Sequence, residues 1–161
     1  MASILTGKRT ALPERDLVVF LIGARINKWW LLPLALPILA KMRKMQLELL
    51  ADPDSGLLGF QSLGGADVQY WRSIEDLMVY AEARNREHKP AAKKFYQKLF
   101  KNQAVGVWHE TYVVASGQYE NMYINMPAFG LGKVLPLLEA KDQLATAQGR
   151  LAHRRRKQHA A

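Results

Sequence analysis

His109 stands in the middle of Ala104-Val-Gly-Val-Trp-His-Glu-Thr-Tyr-Val-Val-Ala115, a single imidazole in an alternating apolar run. The alternation puts Val105, Val107, His109, Thr111 and Val113 on one face of a strand. Gly106, Trp108, Glu110, Tyr112 and Val114 fall on the other. An unperturbed imidazole titrates near pH 6.5, about right for a general base acting on a substrate at neutral pH. The competing reading is a structural histidine hydrogen-bonded to an acid such as Glu75 or Glu110. Glu110 lies on the opposite face of a regular strand, so it is no dyad partner. It is expected to pair with Arg25 or Arg72, or to serve an interface between copies. His88, in the polar run before Pro90, is the second candidate base, unless it is simply a solvated loop residue.

Trp71 ends an earlier strand and offers either an aromatic wall for a planar ligand or plain core packing. Arg25, Asn27 and Lys28 close the first strand. A cation and an amide there could hold an oxyanion, or merely complete a turn. Tyr112, Tyr123 and Asn125 form a third polar and aromatic group, whose location depends on how the C-terminal arm folds back. Phe129-Gly-Leu-Gly132 reads as a loop that could act as a lid. No GxGxxG, P-loop, HxxxH or HExxH pattern is present, and no metal is expected. The chain has no cysteine, which excludes disulfides, thiolate metal sites and cysteine nucleophiles.

These residues need elements to carry them. Residues 1–15 read as an irregular leader. Asp16 to Ile26 is a continuous apolar run suited to a central strand covered on both faces. From about Pro33 to Leu50, Ile38, Met42, Met45 and Leu49 recur at helical spacing, with Lys41, Arg43, Lys44 and Glu48 on the other side. Asp52-Pro-Asp-Ser-Gly56 stops the helix. Leu57–Ser62 and Val68–Arg72 make a hairpin, and Ser73 with Asp76 resembles a helix capping box. The next helix runs to about Ala83, breaks at Glu82–Glu87 and resumes at Pro90, with Phe95, Leu99 and Phe100 toward the core. The His109 strand follows, then an extended arm over Tyr119–Met126, a loop, and a weak helix from Leu135. The order is βαββαβ, an α+β ferredoxin-like arrangement over residues 16–133, with a C-terminal extension of a weak helix and basic tail over 134–161.

On these residues the chain resembles a known family. Gln69-Tyr-Trp71-Arg-Ser73-Ile-Glu75-Asp-Leu77, then Tyr80, His88 and Phe95, is similar to a passage of the antibiotic-biosynthesis monooxygenase superfamily. A narrower resemblance is to a small monooxygenase-like family named for a fungal polyketide (fumagillin-type) monooxygenase. It runs from about Asp16 to Lys133 through Phe20-Leu-Ile-Gly, Arg25-Ile-Asn-Lys28, Val107-Trp-His-Glu-Thr-Tyr112 and Tyr119-Glu, ending on Tyr123-x-Asn125-Met-Pro127. The resemblance implies a dimeric α+β barrel with a ligand cavity between sheet and helices. It also implies a small aromatic or polyketide-like substrate that is deprotonated and itself reduces O₂, with no cofactor. Because the superfamily includes haem proteins such as chlorite dismutases, a haem on His88 or His109 is one alternative. A non-catalytic ligand-binding module is the other.

The net charge of +9 concentrates at the end of the chain, where Arg150, Arg154, Arg155, Arg156 and Lys157 leave +4 for residues 1–149. Residues 150–161 are expected to be a dispensable disordered tail, not a nucleic-acid site. Trp29 to Ala40 is the longest apolar segment and is too short to span a bilayer. A buried helix with an aromatic entry is expected there, with a membrane-surface segment as the alternative. No signal-peptide core precedes it, and a homodimeric cytoplasmic protein without stable membrane insertion is expected.

Overall fold

The computed structural model describes residues 3–12, 15–86, 97 and 101–158. The expected helix resumption, with His88, Pro90, Phe95, Leu99 and Phe100, lies outside the described residues. The elements are β1 (Leu5–Ala11), β2 (Leu17–Ile26), α1 (Leu32–Ala51), β3 (Leu57–Ser62), β4 (Ala66–Trp71), α2 (Ile74–Arg86), β5 (Val105–Val114), β6 (Tyr123–Met126), β7 (Leu137–Glu139) and α3 (Ala147–Gln158).

The main sheet has the order β3-β4-β2-β5 with every pairing antiparallel, the ferredoxin-like order expected from the sequence. Its inner strand β2 is the apolar run. Alternation sends Val18 into one core, with Leu57, Phe60, Trp71 and Leu77, and Leu17 into a second, with Ala11, Leu131 and Leu135. Leu49 of α1 and Leu77, Ile74 and Tyr80 of α2 pack on the Val18 side, which is therefore the helix face. Trp108 lies on the far face against Gly23, where a β-carbon would come within 2.5 Å of the indole.

Local chemistry ends and starts the helices as read. The Asp52 carboxylate accepts from the Asp54 amide at 3.0 Å, the Ser55 hydroxyl donates to the Leu49 carbonyl at 2.7 Å, and Gly56 turns the chain at φ 78°. The Ser73 hydroxyl accepts from the Asp76 amide at 3.1 Å, and α2 runs to Arg86 through the expected polar break.

Four expectations need correction. Residues 5–11 are a strand, not an irregular leader: β1 is the centre of a second sheet, β6-β1-β7, and the Asn121 side chain brackets the Ala11 amide and carbonyl at 2.8 Å each. Gly130–Lys133 is a buried 3₁₀ turn in place of a lid, because Leu131 and Leu135 plug the far-face core. Arg150 is only 4% exposed and bonds Glu120 from Nε at 2.7 Å and Nη2 at 2.6 Å, so it belongs to the fold and not to a free tail. Trp29, Trp30, Leu32 and Leu36 are exposed where a buried helix entry was expected.

Candidate functional site

Strand register assigns every candidate to a face. On the helix face, one row runs Ser62, Asp67, Ile22, His109; the next runs Phe60, Gln69, Phe20, Thr111; the third runs Leu57, Trp71, Val18, Val113. His109 and Trp71 thus share a face of the sheet, with the Gln69–Phe20 row between theirs. Over β3 and β4 the face is roofed by α1 and α2. Over β5 no described helix packs, and His109 and Thr111 are exposed, with Val107 and Val113 at 47% and 69% exposure.

The closed end is built on Trp71, which is fully buried. Its indole N–H donates to Gln69 Oε1 at 3.0 Å and its ring stacks on Tyr80 with centroids 5.3 Å apart. The open end is His109, whose ring lies 5.6 Å from Phe20 at a tilt of 37°. Phe20 therefore paves the floor between the two.

A polar cluster faces His109 across Ile22 in the same row, about 10 Å away by two strand spacings. Asp67 accepts from Ser62 Oγ at 2.6 Å and from Gln46 Nε2 at 2.7 Å, while Arg43 donates to Ser62 at 3.1 Å and covers the Phe60 ring at 4.5 Å. Gln46 is 3% exposed, and its Oε1 accepts from no described group. A buried acceptor left unpaired costs about 1–3 kcal/mol. Sequence reading missed the cluster. The available signal was Gln46 itself, polar at a position three before Leu49 and four after Met42 on the inward stripe.

The remaining candidates are dispersed. Arg25 and Tyr112 lie on the far face, opposite His109. The Tyr112 hydroxyl donates to Glu110 Oε2 at 2.6 Å, a bond that raises the phenol's pKa. Glu110 is thus bonded to a phenol, and Arg72, one of its expected cations, bonds Asp76 at 2.9 Å. Asn27 Nδ2 donates to the Gln103 carbonyl at 3.2 Å and holds the β2 end to the β5 approach. Tyr123 and Asn125 are on β6, in the other sheet. The Tyr123 hydroxyl accepts from the Gly132 amide at 2.9 Å, and burial raises its pKa. Asn125, at φ 51°, accepts from the Gly7 amide at 2.9 Å and pins β6 to β1. These two build the second sheet; they do not join His109. Among the described residues, no three His, Asp or Glu side chains converge as metal ligands.

An antiparallel ferredoxin-like sheet with helices packed on one face defines an α+β architecture. The chain belongs to the family described as Monooxygenase af470-like, which matches residues 17–131, from the first residue of β2 to the leucine plug. It is also 27% identical over 165 aligned residues to "Monooxygenase af470" of Aspergillus fumigatus (strain ATCC MYA-4609 / CBS 101355 / FGSC A1100 / Af293). That alignment covers 83% of this chain and 56% of the relative, so the chain spans little more than half the relative's length.

Proposed function

We propose that the chain is a monooxygenase that oxidises a small aromatic or polyketide-like carbon acid on the helix face of its main sheet, with His109 as base. The observation that carries this reading is His109 itself, an accessible imidazole packed against Phe20 on the helix face of the sheet. The family and its fungal relative bear the name monooxygenase.

In this reading the substrate supplies all four electrons that reduce O₂, and neither flavin, metal nor haem takes part. His109 takes a proton from an activated CH₂ group, and the resulting carbanion adds O₂ to give a peroxide anion. The imidazolium returns the proton to form the hydroperoxide. Loss of the second C–H proton with O–O cleavage then yields a ketone and water, so that CH₂ and O₂ become C=O and H₂O. A planar ring would lie on Phe20, beside the His109 imidazole. The working form is a homodimer: β5 is an edge strand exposed over most of its length, and Trp108 and Tyr112 on its far face need cover.

NMR of the His109 ring during titration with an anthrone-type ligand tests the site. A ligand-dependent shift of the His109 ring resonances is expected. Binding that leaves His109 unmoved, or a Soret band in the purified protein, would overturn the reading.

A further inference from the structure

Residues 17–47 carry Arg25, Lys28, Lys41, Arg43 and Lys44 and no acid. Within them, Trp29 to Ala40 holds no charged residue, yet Trp29 is 77% exposed, Trp30 61%, Leu36 54% and Leu32 39%. Trp29, Leu32, Leu36 and Ala40 recur at spacings of three and four, so they form one stripe on the outward side of α1 and of the 3₁₀ turn, Trp29–Leu31, that leads into it. A contiguous apolar stripe of this kind marks a contact surface, unlike scattered exposed leucines.

We propose that this end of α1 docks on an anionic lipid surface and lies in the boundary between headgroups and acyl chains. Three features favour lipid. The two indoles, packed edge to face at 6.1 Å, suit the interface, where an aromatic ring is half in hydrocarbon and half in water. They stand on a fixed platform: the Lys28 ammonium donates to the Asn102 carbonyl at 2.7 Å, and the Asn27 amide donates to the Ala104 carbonyl at 2.9 Å. The charges of residues 17–47 are all positive, and although Lys44 pairs with Glu48 at 3.7 Å, Arg25 is exposed, which complements phosphatidylserine. A second copy docking through the same patch would bring two acid-free regions together. No helix among the described residues is long and apolar enough to cross a membrane, so the fit is to the surface.

Flotation with vesicles of phosphatidylcholine alone and with about 30% phosphatidylserine tests this. The full chain should float with the anionic vesicles, less so in high salt, and its tryptophan emission should shift to the blue. Trp29→Ser with Trp30→Ser should lower partitioning about tenfold or more with an unchanged melting temperature. If that variant melts early, Leu36→Asp makes the same test. A chain ending at His153 should still float. Absence of flotation, flotation of the double variant like the parent, or loss of flotation only on removing the basic tail overturns the proposal. So does a halved solution mass in the double variant, which would make a second copy the occupant.

Discussion

His109 and Trp71 lie on one face of the main sheet, but His109 pairs with Ile22 and Trp71 is beside Val18, so their rows stand four β2 residues apart. The two side chains therefore answer differently to removal. Trp71 is fully buried, stacked and hydrogen-bonded, so Trp71→Ala should cost about 3–5 kcal/mol in urea unfolding. His109 is exposed, and His109→Ala should stay within about 0.5 kcal/mol of the parent. Equal losses would mean that His109 is a structural residue.

Alkaline stability should report on the far-face plug. Tyr70 accepts a hydrogen bond from the Leu131 backbone, and burial, with Tyr123 nearby, pushes its pKa up to about 12. A folded-state value above the unfolded one, about 10, leaves stability constant below pH 10. Above it the unfolded chain releases the proton first, so stability falls until the folded phenol ionises. Absorbance titration of the phenols with parallel melting curves should show this loss, and Tyr70→Phe should flatten it. An unchanged slope in Tyr70→Phe would assign the effect elsewhere.

The C-terminal region should divide at one residue. The Arg150 guanidinium is buried against Glu120, so Glu120→Ala leaves it without its counter-ion and should cost about 3 kcal/mol. A chain ending at His153 keeps the pair and should melt like the parent. If the truncation is the more damaging change, the basic residues beyond His153 are docked too.

Solution mass tests the pairing of copies. Light scattering should give twice the 18.3 kDa chain mass, and Tyr112→Arg, on the exposed far face of β5, should return it to a monomer. A parent chain that is monomeric at micromolar concentration contradicts the dimer.

Sequence alone disclosed what local chemistry writes. The alternation around His109 gave its face relative to Val107 and Thr111, the β-branched run gave β2, and Ser73 with Asp76 gave the start of α2. Non-local structure was hidden. β1 is Leu-Thr-Gly-Lys-Arg-Thr-Ala, with little apolar signal, and it pairs with β6 and β7 more than a hundred residues later. Arg150 reads as one more tail cation until Glu120, 30 residues earlier, folds beneath it. Trp29 and Trp30 look like core residues because composition does not say which side of a helix the sheet occupies. Tyr123 and Asn125 share a short segment with family-like residues, but backbone pairing carries them to a different sheet from His109.

Oxygen uptake by the purified chain with anthrone-type carbon acids under ¹⁸O₂ tests the central claim most directly. One O₂ should be consumed per ketone formed, with one labelled atom in the product and the other in water. His109→Ala should lower turnover by at least about 100-fold while unfolding like the parent. Labelled product formed by His109→Ala at the parent rate would contradict the assignment of the base. Absence of uptake across the substrate panel would contradict the chemistry itself.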